Sequence, residues 1–399
     1  MAQSDEQRLW TRDYFLAFVA LVGAQLVFIT LMTYMALYAV EQFQATDTGA
    51  GFAASSFVLG AALSRLAIGK YLDFIGRKRI LLVALALYVV CSLLYPLVDQ
   101  YSLLIVIRLV QGSGFGVIST TVATAVIDLI PAARLSEGLG YISLAGTLSN
   151  AVGPLASIQL SQNASSVWVF GFATLCALIA LLAVLPMHIR ERKPTQDEYD
   201  RRWRIRGSDL LDSNMLPVAI VALIASVGFA MVMTFLTPYL VSQNMADVAS
   251  LFFLVWALAM LGVRLFAGRM HDRHGDNAVI PAALCSLALG LAVVAVADNA
   301  WHFVIAAILG GMGHGGVVPS LQAVGIRRTT TNRIPVATST HYLALDSGIA
   351  IGPVALGFMI GVAGYPGLYL AAAGIVLLGV LVYWIAHGRH ADGHRITRQ

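Results

Sequence analysis

The sequence predicts an all-α membrane protein with twelve transmembrane helices in two six-helix bundles, related by a pseudo-two-fold axis along the membrane normal. Three observations predict it: a composition too apolar for water, twelve long apolar runs, and landmarks that recur 199 residues apart, as from Arg65 to Arg264.

Of 399 residues, 58% are hydrophobic and 12% charged, and the mean hydropathy is +0.79. Soluble domains carry about 25% charged residues. A chain this apolar has no polar cover for a water-facing surface, so the lipid bilayer is its expected solvent. Cys91, Cys176 and Cys285 all lie inside apolar runs, with no disulfide framework or metal-ligand spacing. The first apolar run is too long for a signal-peptide core and reads as a retained span.

A spanning helix needs about 20 mainly apolar residues. The runs fall at 14–40, 49–70, 79–98, 101–123, 137–160, 167–187, 215–240, 246–268, 278–297, 301–322, 337–361 and 366–387. Lys and Arg set the orientation. They flank the runs on one side only: Arg8 and Arg12 before span 1; Lys70, Arg77, Lys78 and Arg79 at the 2–3 turn; Arg134 at the 4–5 turn. The 6–7 segment adds Arg190, Arg192, Lys193, Arg201, Arg202, Arg204 and Arg206. Arg269, Arg273, Arg327, Arg328, Arg333, Arg389, Arg395 and Arg398 complete the set. The alternate loops hold acids instead: Glu41, Asp47, Asp99, Asp247 and Asp298. Both termini and the 6–7 segment are therefore expected in the cytoplasm. The net charge of +4 is spread along one membrane face, which excludes a nucleic-acid groove. The expected domains are an N-terminal bundle over 1–187, a cytoplasmic linker over 188–212 and a C-terminal bundle over 213–399. The linker's stretch around Tyr199–Leu211 reads either as an amphipathic surface helix or as a solvated tether.

The repeat is ordered. Gly69, Lys70, Asp73 and Gly76 correspond to Gly268, Arg269, Asp272 and Gly275. Gly112, Gly114 and Gly116 correspond to Gly311, Gly313 and Gly315, Arg134 to Arg333, and Gly153-Pro154 to Gly352-Pro353. Six spans per copy is an even number, so both copies have the same orientation, the parallel-repeat arrangement of many secondary transporters. At two positions the second copy reads as decayed: Asp276 stands for Arg77 and Asn277 for Lys78.

These residues resemble the major facilitator superfamily over nearly the whole chain. GKYLDFIGRKRIL (69–81) is similar to its loop 2–3 motif, Gly-x-x-x-Asp-x-x-Gly-Arg-Lys. LLIVIRLVQGSGFG (103–116) is similar to its span 4 motif through Arg108, Gln111 and Gly112. Gly153-Pro154 resembles the span 5 motif of the drug–proton antiporter branch, with Ser149 and Ser157 where glycines are usual. The resemblance implies that Gly69, Asp73, Gly76, Arg77 and Lys78 form a gate. In it Asp73 sits against span 11 and Arg77 pairs with Asp128. It also implies that the first copy carries most of this latch.

An ionisable residue at bilayer depth is costly and usually faces a cavity. Asp346 lies about nine residues, or ~13 Å, into span 11, and Arg108 about seven residues, or ~10 Å, into span 4. Together with His314 in span 10 and Glu137 at the start of span 5, they are the candidates for proton coupling or the cavity. Arg65 and Arg264 are expected to snorkel to the membrane surface. Gln25, Thr33, Tyr34, Tyr141 and Asn150 are candidate cavity walls. Gly153-Pro154 and Gly352-Pro353 are expected to kink their helices.

The function implied is a proton-coupled secondary active transporter that exports small amphipathic molecules by alternating access: drugs or metabolites, metal-chelating ones included. The alternative is a proton-coupled symporter that takes up a small nutrient. No cofactor is expected, with protons as the coupling ion. The partners are a small-molecule substrate and the lipid bilayer, with no nucleic acid, and the protein is expected to be monomeric in the bacterial cytoplasmic (inner) membrane. No enzyme is expected: zinc-hydrolase and serine-elbow signatures are absent. GSGFG (112–116) lies within a span with no strand before it, so it reads as helix packing.

Overall fold

A computed structural model describes residues 9–45, 47–163, 165–200 and 207–389. Arg8, Arg201, Arg202, Arg204, Arg206, Arg395 and Arg398 of the base asymmetry lie outside the described residues. So do residues 201–206 of the stretch around Tyr199–Leu211.

Twelve long helices are described: α1 (Arg12–Phe43), α2 (Asp47–Ile75), α3 (Arg77–Leu94), α4 (Tyr101–Leu129), α5 (Leu135–Asn163) and α6 (Ser166–Val184), then α7 (Leu216–Ser242), α8 (Ala246–His274), α9 (Asp276–Val296), α10 (Ala300–Arg327), α11 (Ile334–Leu356) and α12 (Met359–Ala386). Two short helices, Gln196–Asp200 and Gly207–Leu210, lie between α6 and α7. Ten of the twelve are long and apolar enough among the described residues to cross a membrane; α5 and α11 are not among them. Small polar residues dilute these two, such as Thr147, Ser149 and Asn150 in α5 and Thr338, Ser339 and Thr340 in α11.

Contacts divide the chain into two units. The first comprises Met1–Pro131, Ala145–Leu211 and Thr331–Ser339; the second comprises Ala132–Leu144, Asp212–Thr330 and Thr340–Gln399. The division follows packing rather than chain order, and it passes through α5 and α11. Inside the first unit α4 packs on α2 and α3, and α6 on α1 and α3. Inside the second, α10 packs on α8 and α9, and α12 on α7 and α9. The repeat in sequence is thus a repeat in packing. Its glycines explain the tight contacts: a methyl group on Gly112 would run into the backbone of Phe57 in α2, and one on Gly311 into that of Trp256 in α8.

Helix ends follow local chemistry. Thr11 accepts a hydrogen bond from the Tyr14 amide and caps α1, and Asn299 does the same for α10 through His302. Gly76 (φ 97°) separates α2 from α3, and Gly275 (φ 84°) separates α8 from α9. Both take a backbone conformation that favours glycine. Both Gly-Pro pairs lie inside helices. Helix α5 continues nine residues beyond Pro154, to Asn163. Helix α11 ends three residues after Pro353, at Leu356, short of the predicted 361. The break in this region falls inside α12 at Gly364 (φ 68°), two residues before Pro366. Proline lacks the amide donor and pushes the preceding residues out of helical geometry.

Candidate functional site

The first turn draws a dense ion cluster around Arg77. Its side chain is buried, with Nε 2.7 Å from Asp73 Oδ1 and Nη1 2.5 Å from Asp128 Oδ2 at the end of α4. The pairing with Asp128 is the one the family resemblance implies. Asp73 is also held from a second segment. Its second oxygen is 3.3 Å from Nη1 of Arg192, in the segment after α6. The same segment caps α3, which begins at a glycine and has no cap of its own. Glu191 accepts from the amides of Arg77 (2.8 Å) and Lys78 (2.9 Å). Lys78 Nζ donates to the Leu185 carbonyl, and Lys70 Nζ lies 2.9 Å from Asp209. Gly69 does approach α11, and a methyl on it would meet the Val336 Cα at 3.0 Å.

The second turn corrects the reading of decay. Asp272 accepts from the amides of Ser136 (3.2 Å) and Glu137 (3.0 Å), at the start of α5. Carboxylates are favoured at a helix N-terminus because unpaired amides and the helix dipole converge there. Arg327, at the end of α10, is 2.5 Å from Asp272 Oδ1 and 3.4 Å from Asp276 Oδ1, and it donates to Ser136 Oγ at 2.9 Å. Gly268 permits this approach, since a methyl there would stand 2.5 Å from the Glu137 Cα. The second copy thus makes, through Asp272 and the start of α5, the kind of helix-terminus contact that the resemblance implies for Asp73.

The carboxylate of Glu137, a candidate for proton coupling or the cavity, is flanked by two guanidinium groups, Arg134 (2.7 Å) and Arg269 (2.7 Å). The Glu137 carboxylate in turn holds the Arg134 guanidinium above its ordinary range. Tyr141 lies one turn further along, with the Arg269 guanidinium 6.0 Å from its ring centre.

Arg108 is fully buried within the α2–α4 packing. Its Nε donates to the Ala53 carbonyl (3.0 Å) and its Nη2 to that of Ala54 (2.8 Å), with the Phe57 ring 4.9 Å away. Gln111 accepts from Tyr95 (2.6 Å) and donates to Ser92 (2.9 Å), joining α4 to α3 and the turn after it. These contacts tie α4 to α2, to α3 and to the turn after α3. Arg65 and Arg264 do not snorkel; both are buried. Arg65 donates to Ser119 Oγ (3.1 Å), and Arg264 to the carbonyls of Gly315 (3.4 Å) and Ser143. Each turns inward because a carbonyl or hydroxyl acceptor lies in reach on a neighbouring helix. His314 is buried and stacked on Phe229, with ring centres 4.3 Å apart and planes 10° apart. Asp346 stands half-buried twelve residues after the start of α11.

Of the predicted cavity walls, only Tyr34 lines the described cavity. That cavity is about 390 Å³ and lies at the ends of α1 and α5 and the start of α6, with Tyr38, Glu41, Gln42, Ser161 and Ser166 around it. Gln25 is half-buried, Tyr141 buried, and Thr33 and Asn150 exposed; none of them lines it. Among the described residues no cluster of histidine, cysteine or acids could hold a metal ion. Sequence reasoning missed Glu191, Arg192 and Arg327. The first two carry no motif and are placed only by the path of the chain after α6. Arg327 carried a signal, since it stands 199 residues after Asp128.

A family model described as Major Facilitator Superfamily matches residues 15–276 and 218–398. The chain is 23% identical over 356 residues to the staphylopine export protein of Staphylococcus aureus, covering 86% of this chain and 88% of that protein. Its structure is similar to a bacterial homologue of the iron transporter ferroportin in an outward-facing state: TM-score 0.78, 16% identity, 96% of this chain and 100% of that one. It is also similar to the human organic anion transporter MFSD10, with TM-score 0.77, 17% identity, and 93% and 98% of the two chains covered.

Proposed function

The chain belongs to the major facilitator superfamily, and from that premise we propose that it is a proton-coupled exporter of small amphipathic molecules working by alternating access. Its family members are integral membrane transporters rather than enzymes. The export direction is supported by the likeness to the staphylopine export protein. The cargo class is drugs or metabolites, metal-chelating metabolites included, and staphylopine itself is the first compound to test.

The observation that carries proton coupling is Asp346. It is the one acid in α11, twelve residues from the nearest helix start and half-buried. The other acidic candidate, Glu137, is committed to Arg134 and Arg269. Burial favours the neutral form of a carboxylate, and any approaching cation favours the anion. Loading and releasing one proton per cycle needs that balance. The base asymmetry supports placing both termini in the cytoplasm of a bacterial inner membrane.

The test is transport by purified protein in proteoliposomes, with a panel of compounds and an imposed pH gradient. Asp346→Asn is expected to abolish gradient-driven accumulation while substrate-for-substrate exchange continues. Gradient-driven transport at the native rate in that variant overturns the coupling assignment.

A further inference from the structure

The two base-rich turns carry the same ion-pair positions with opposite polarity. In the first copy Arg77 pairs with Asp128 at 2.5 Å. Adding 199 to each number gives 276 and 327, where acid and base have exchanged: Asp276 faces Arg327 at 3.4 Å. Asp73 and Asp272, also 199 apart, have kept their sign, and an arginine serves each. In the first copy it comes from the turn, as Arg77 Nε on Asp73 Oδ1 at 2.7 Å. In the second it comes from the end of α10, as Arg327 Nη2 on Asp272 Oδ1 at 2.5 Å.

That relocation has a geometric consequence. From the end of α10 the guanidinium also reaches Ser136 Oγ, at 2.9 Å, so one arginine grips both the capping carboxylate and the helix it caps. Among the described residues the Arg77 side chain makes no such contact with a helix start; its second carboxylate partner is Asp128.

Asp276 is built in rather than left over. His271 Nε2 is 2.6 Å from its Oδ1, and His387 Nε2, just beyond α12, is 2.7 Å from its Oδ2. Arg328 Nη1 lies 3.1 Å from the other ring nitrogen of His387. Arginine only donates, so that nitrogen must present a lone pair, and His387 is then the tautomer that donates from Nε2 to Asp276. The adjacent residue is recruited too: Asn277 accepts from Tyr383 (2.9 Å) and donates to the Gly388 carbonyl (3.0 Å). The two positions that differ from the first-copy motif both hold the end of α12.

We propose that Arg327, oriented by Asp276, is the positioning residue of a charge-inverted latch that holds the start of α5 through Asp272. Its part in the transport cycle rests on the alternating-access reading above, but the latch itself is measurable without substrate. The measurement is hydrogen–deuterium exchange of the full-length protein in lipid nanodiscs, read on the amides of Ser136 and Glu137. Arg327→Gln is expected to raise their exchange about tenfold, and Asp276→Asn about threefold, because charge-assisted hydrogen bonds are lost. Arg327→Asp places an acid against Asp272 and is expected to exceed Arg327→Gln. The double variant D276R/R327D restores the first copy's polarity and is expected to return exchange to within about threefold of the native protein, a rescue that a purely structural arginine would not give. Exchange across 69–78 serves as the folding control and should not move. Unchanged exchange in Arg327→Gln, or a double variant no better than Arg327→Asp alone, overturns the proposal. If Arg327→Gln does not fold, Arg327→Lys reads the same contact with an expected rise of about threefold, and no rise overturns it. A protein that failed the transport assay and passed this one would have the latch without the proposed function.

Discussion

Arg108 shows what a buried charge does when no acid faces it. Two of its nitrogens donate to α2 carbonyls and its plane lies over an aromatic ring, so it braces two helices, while Nη1 is buried without a hydrogen-bond partner among the described residues. Arg108→Leu is expected to lower stability by about 1–3 kcal/mol through the lost charged hydrogen bonds, seen as a lower melting temperature in detergent. If Arg108 carried protons instead, the same variant would keep its melting temperature and lose only gradient-driven transport. The sequence showed that Arg108 sits at bilayer depth, and depth alone suggested function. It did not show that carbonyls in α2 lie within reach, since those are 54 and 55 residues away in the chain.

At the scale of elements, helix starts are where the two turns differ. Helix α3 begins at Gly76, which has no side chain to cap with, and Glu191 caps it from the segment after α6. Glu191→Gln keeps the shape and weakens the cap. It is expected to cost about 1 kcal/mol, read as a shift in thermal unfolding and as faster amide exchange at Arg77 and Lys78. Helix α5 begins against Gly268, so Gly268→Val is expected to push it away at about 1–3 kcal/mol of overpacking. Exchange at Ser136 and Glu137 measures that displacement, and native exchange would show that the close approach is dispensable. The turns, glycines and repeat were legible in the sequence because backbone constraints are local. The capping partners were not legible, because a cap supplied from another segment leaves no spacing to read.

For the whole molecule, the base asymmetry predicts an orientation. In a variant without Cys91, Cys176 and Cys285, a single cysteine replacing the exposed Asp298 is expected to react with an impermeant maleimide in intact cells. One replacing Gln196, in the segment between α6 and α7, is expected to react only after permeabilisation. The reverse pattern would invert the topology. The repeat also operates at this scale. Equivalent helices pair in both units, α4 on α2 and α3 in one, α10 on α8 and α9 in the other.

The sequence by itself determined the solvent, the number of long helices and the two-copy plan. Hydrophobic run length and the placement of Lys and Arg respond directly to the bilayer, and a constant offset survives in any one-dimensional record. Only the tertiary structure decided which buried charges are bracing, that Arg65 and Arg264 turn inward, and that the second turn is inverted rather than decayed. Those outcomes depend on which acceptor lies within about 3 Å of a donor, a distance set by packing between helices far apart in the chain.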